Sequence, residues 1–246
     1  MTMAINKPFP RIFLPLINDK QITFHDYLNE IEYIDKKEAA SLIDAARLIV
    51  EDYSVLCEYI EPVDANKNTF SHRTYELLLR VATEFETNCK GILTANGYNS
   101  HGNLNIQDYY KINQIMHLDQ YEIETNLWSP EKQFHPLSEW SVGHTLSWYQ
   151  AYNHSKHDRY ANFHEATLEN VFNGICSLAV LLAAQFPSMI GGITGRSNLT
   201  FFTEDPNSLI TQGFTIKYPN FLPEQKYDFD WENLKNNTPT FDSFSF

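Results

Sequence analysis

Residues 167–186 read TLENVFNGICSLAVLLAAQF, and Pro187 follows. Val171, Phe172, Ile175, Cys176 and Ala179 recur three and four apart, the spacing of one helix face. From Leu178 onward the segment is apolar nearly all round. A helix that is hydrophobic on every side belongs in the centre of a molecule. The sequence therefore predicts a mainly α protein built around one central helix over 163–186, stopped by Pro187. The apolar block over 175–186 falls short of the roughly 20 residues that cross a bilayer, so a membrane span is not expected.

Further helices are expected upstream of it. Ala39, Leu42, Ile43, Ala46, Ile49, Val50, Tyr53, Leu56, Cys57 and Ile60 keep helical spacing from Lys36 until Pro62. A second helix opens at Ser71, a good N-cap, and stripes Tyr75, Leu78, Leu79, Ala82, Phe85, Cys89, Ile92 and Leu93 along one face. Glu76 to Arg80 and Glu86 to Lys90 supply i, i+4 pairs on its outer side, and Asn96-Gly97 ends it. A weaker helix is expected over 106–116 and another over 140–154, with Val142, Leu146, Tyr149 and Tyr152 together. YEIETNLW (121–128) reads as a strand or hairpin, and LTFFT (199–203) and GFTIKY (213–218) read as short strands. The expected organisation is an N-terminal arm over 1–35 and a bundle of four or five helices over 36–187. A small β insertion at 119–139 interrupts the bundle, and an irregular C-terminal extension over 188–246 packs on it.

The formal charge of −13 argues against a broadly basic, nucleic-acid-coating surface. Cys57, Cys89 and Cys176 are scattered and form no CxxC pair, which speaks against a disulfide framework and a cysteine zinc site. With no signal-peptide pattern at the N-terminus, a soluble cytoplasmic protein is the expectation. On this acidic background residues 153–164, NHSKHDRYANFH, gather three histidines, a lysine and an arginine. Asn162 with Glu165 three positions on reads as a capping box that starts the central helix. His164 then falls in a first helical turn, where free N–H groups attract anions. A neutral imidazole there can act as a general base, and the guanidinium of Arg159 can grip a phosphate. Asn153, Lys156 and His157 would add hydrogen bonds and positive charge.

That set suggests phosphodiester cleavage with neither metal nor cofactor, His164 taking the proton of a ribose 2′-hydroxyl and Arg159 holding the phosphate under attack. A leaving group also needs an acid, which a two-fold dimer would supply as a second histidine. Other readings of the same residues stay open. His154, His157 and His164 could hold a metal, although H-x2-H-x6-H is not a standard ligand pattern. Arg159 could be structural, paired with Glu84 or Glu86. Trp140, Trp148, Tyr149 and Tyr152 could stack bases or simply fill the core.

Arg159-Tyr-Ala-Asn-Phe-His164 resembles the R-x4-6-H motif of the HEPN superfamily, placed ahead of a late core helix as it is there. The resemblance covers roughly 36–187. It implies a helical bundle with metal-independent endoribonuclease activity, often that of a toxin or antiviral effector. It also implies RNA or a nucleotide as ligand, a homodimer sharing one active site, and in some cases an antitoxin or other protein partner. A non-catalytic nucleotide- or protein-binding module is the alternative within the same family. Tyr160 follows the arginine where active members usually carry Asn, Asp or His.

Overall fold

The computed structural model describes residues 5–17, 36–99, 102–143, 145–190, 192–194, 200–201 and 213–246. Two long helices come first: α1 (Lys36–Cys57) and α2 (His72–Ala95). Two short ones follow, α3 (Ile106–Tyr110) and α4 (Asn113–Met116), then strands β1 (Glu122–Thr125) and β2 (Lys132–Phe134). After them come α5 (Ser147–His157), the single turn α6 (Arg159–Asn162), α7 (Leu168–Ala183) and α8 (Pro187–Ile190). The chain closes with β3 (Gly192–Thr194), β4 (Thr200–Phe201), β5 (Phe214–Tyr218) and α9 (Trp231–Leu234). The mainly helical class with a small sheet is as expected. Of the expected arm, residues 1–4 and 18–35 lie outside the described residues, as do 199, 202 and 203 of the LTFFT segment.

α7 is the centre. Its residues from Gly174 to Ala183 are all buried, and it packs on α1, α2 and α5 at once. Close approach to α2 and α5 depends on Gly174, where a Cβ would lie 2.7 Å from Val81 Cγ1 and 3.2 Å from the Trp148 ring. Trp148 Nε1 donates to Ser177 Oγ at 3.0 Å, so the one polar atom of that ring is satisfied inside the core. Trp140, Trp148, Tyr149 and Tyr152 are all buried, so the aromatic stripe belongs to the core.

The sheet runs in the order β2-β1-β5-β3-β4. β1 falls in the expected strand segment and pairs with β2, which forms within the expected Pro-containing turn, and β5 pairs antiparallel with β1 in the register Ile123↔Ile216. The tail thus extends the β insertion rather than lying irregularly beside it. Ile123, Thr125, Phe214, Ile216 and Tyr218 face inward, while Lys217 bridges Glu122 at 2.8 Å and Glu124 at 3.2 Å on the outer face.

Two helix boundaries differ from the sequence expectation. Residues 138–142 form a 3-10 turn and α5 starts only at Ser147, because Gly143 adopts φ +75° and Glu139 caps the new helix. The Glu139 carboxylate accepts from the Ser147 backbone N–H at 2.8 Å and from its hydroxyl. Val142, expected on the inner face, is 68% exposed. The central helix starts at Leu168 rather than 162. Its cap is Thr167, whose hydroxyl accepts from the Asn170 N–H at 3.2 Å. Asn162 turns backwards instead, donating to the carbonyls of His154 and Asp158. The expected Glu76–Arg80 pair is also replaced, Glu76 taking Arg73 at 2.8 Å and Arg80 taking Asp52. Among the described residues no helix is long and apolar enough to cross a membrane.

Candidate active site

Ser71 and Thr167 both cap their helices in extended conformation, and this lets the residues before each cap run side by side. Leu168 N–H donates to the Thr69 carbonyl at 2.8 Å and Glu169 N–H to that of Lys67 at 3.1 Å. Phe70 and Thr167 form an antiparallel bridge. This backbone clip ties the start of α7 to the start of α2. Between the clip and α5 opens a groove of about 540 Å³, bordered by Phe70, Gln150, His154, His164, Glu165 and Glu169.

Two imidazoles line that groove. His154, in the last turns of α5, has Nδ1 2.8 Å from Glu165 Oε2. An ionised carboxylate only accepts, so the ring donates from Nδ1 and its Nε2 is the atom left for a ligand. Glu165 is itself held in place, its carbonyl accepting from Thr167 N–H and from Asn170 Nδ2, each at 2.8 Å. His164, in the 3-10 turn over 163–165, is exposed. The position of that turn is set by Phe163, packed among Phe70, His72 and Tyr75 with ring centroids 5.6, 4.9 and 5.8 Å away. His164 therefore borders the groove from a 3-10 turn, rather than occupying the first turn of the central helix.

The other expected site residues lie outside the groove lining. Asn153 is half-buried on α5, and His157 is exposed at its end. Lys156 donates from Nζ to the Tyr152 hydroxyl at 2.7 Å and lies 4.8 Å from the centre of that ring. The hydrogen bond to Tyr152, together with the charge of Glu86, holds its ammonium above the ordinary lysine value. Arg159 is exposed, with its guanidinium 5.7 Å above the Tyr75 ring. Glu86, one of its two candidate structural partners, accepts instead from Tyr149 at 2.8 Å and from Lys90 at 3.0 Å. Tyr160 is fully exposed. Among the described residues His154, His157 and His164 do not converge as a ligand group.

Sequence reasoning missed the His154–Glu165 pair. His154 was weighed only as a metal ligand and Glu165 only as a capping residue. Their spacing of eleven has no helical or strand periodicity, and they meet because the chain reverses at Asp158. That residue caps α6 by accepting from the Ala161 N–H at 3.1 Å, so an Asp directly before RYAN was the available signal. The chain matches no protein-family model, no curated protein and no solved structure.

Proposed function

We propose that this protein is a metal-independent endoribonuclease of the HEPN type, toxin- or antiviral-effector-like, acting at the groove between α5 and residues 163–170. The observation that carries the reading is the placement of His154 and His164 on one open groove, with Glu165 orienting His154 at 2.8 Å. In-line cleavage needs a base and an acid on opposite sides of one phosphate. His164 takes the proton of the ribose 2′-hydroxyl, whose oxygen bonds to phosphorus as the P–O5′ bond breaks. His154 hands a proton from Nε2 to the departing 5′-oxygen. The products are a 2′,3′-cyclic phosphate and a 5′-hydroxyl. Arg159, which pairs with no carboxylate among the described residues, binds substrate phosphate. With both imidazoles in one chain, a homodimer is not required to complete the proton inventory.

The test is cleavage of single-stranded RNA in EDTA. His154→Ala and His164→Ala should each slow it by about 100-fold or more, and a 2′-deoxy substitution at the cut site should block it. Undiminished cleavage by both variants would sink the assignment, and loss of wild-type cleavage in EDTA would point to a metal enzyme. One observation favours a second reading, a non-catalytic nucleotide- or protein-binding module. Glu165 and Glu169 put two carboxylates on the groove, while Arg159 lies outside its lining. Under that reading the wild type binds an oligonucleotide or protein partner but leaves RNA intact.

A further inference from the structure

Phe70 is fixed at both ends yet leaves its ring half in solvent. Its backbone is bridged to Thr167, its neighbour Ser71 caps α2, and its side chain is 46% exposed on the edge of the histidine groove. Beyond it a run of rings leads to one guanidinium. The Phe70 ring meets Phe163 at 5.6 Å and 89°, Phe163 meets exposed His72 at 4.9 Å and Tyr75 at 5.8 Å, and Arg159 sits 5.7 Å above Tyr75. A rigid aromatic surface beside a phosphate site suits a nucleobase, because every base has a π-face and stacking tolerates sequence. The guanidinium at the far end, which meets no carboxylate among the described residues, suits a backbone phosphate.

We infer that Phe70 is the stacking platform for the nucleobase next to the scissile phosphate, and that single-stranded RNA continues from it towards Arg159. The inference rests on the ribonuclease reading and gives it a substrate class: unpaired RNA of several nucleotides, rather than duplex or a mononucleotide. It also accounts for the position of Arg159, which holds a neighbouring phosphate instead of the one under attack. A duplex buries its base faces within its own stack and cannot offer one to Phe70.

The experiment reads binding without cleavage. A 2′-O-methyl single-stranded oligonucleotide with one 2-aminopurine is titrated into wild type, Phe70→Leu, Phe70→Trp and Arg159→Ala, with each melting temperature recorded. Phe70→Leu keeps an apolar side chain but removes the ring, so it should weaken binding by about 10-fold or more and relieve the 2-aminopurine quenching. Phe70→Trp should retain both. Arg159→Ala should weaken binding equally for all sequences and flatten its salt dependence. Wild-type affinity and quenching in a folded Phe70→Leu, or equal competition by duplex RNA, would overturn the inference. If that happened while wild type still cut RNA, the ribonuclease reading would stand without the platform. A wild type that neither binds nor cuts would remove both.

Discussion

Glu165 carries one carboxylate, and a single hydrogen bond to His154 commits it. Replacing it with Gln keeps the shape but permits the amide to meet the ring with either its oxygen or its nitrogen, so the imidazole loses its fixed tautomer. On the ribonuclease reading, Glu165→Gln should therefore cut kcat for RNA by about 10-fold or more while leaving KM close to wild type, as for a residue that positions the acid. A second position of this kind is Gly174, buried against Val81 and Trp148. Gly174→Ala should destabilise the protein by about 1–3 kcal/mol through overpacking, read as a lower denaturant midpoint, despite the better helix propensity of Ala. The candidate site residues differ in how far the sequence exposes them. Arg159 and His164 stand out because their spacing is local. His154 and Glu165 do not, since their contact depends on a reversal at Asp158 that no periodicity records.

The long helices were readable because each buries one continuous stripe: propensity and pattern agree for α1 and α2, and for α2 the Ser71 cap agrees with them. The connections were not, because they are decided by single side chains choosing among backbone groups. Glu139 chooses the Ser147 N–H and shortens α5 at its start. Asn162 bonds backwards, and Thr167 becomes the cap of α7. Thr167→Ala should cost about 1 kcal/mol in a denaturant titration. Asn162→Ala, at a half-buried position in the turn, should stay within about 0.5 kcal/mol. The reverse order would restore Asn162 as the helix start and move His164 into the first turn of α7.

At the scale of the whole molecule, the α2–α5 seam carries a pH-sensitive contribution to stability. Burial alone would raise the Glu86 carboxyl, but hydrogen bonds from Tyr149 and Lys90, with the charges of Lys90 and Lys156, outweigh it and hold it below the ordinary value. A carboxyl depressed in the folded state stabilises above its unfolded value of about 4.3 and loses that contribution as pH falls through the lower folded value. Glu86→Gln should lower stability by about 1–2 kcal/mol at pH 7, and the gap to wild type should narrow as pH falls below about 4.3, as a pH series of urea midpoints would show. The groove uses only residues between 68 and 170. The arm is anchored from much later in the chain: Tyr227 donates its hydroxyl to the Ile12 carbonyl at 2.9 Å, and its backbone N–H reaches the Pro15 carbonyl at 2.9 Å. During synthesis from the N-terminus, Ile12, Phe13 and Leu14 (each fully buried in the finished fold) can meet Asn96 and Ala184 earlier, but lack their Tyr227 anchor until residue 227 has left the ribosome. Contacts so distant along the chain close slowly, so the nascent protein assembles its histidine groove before its arm is locked down, and the apolar arm is the segment a chaperone would meet.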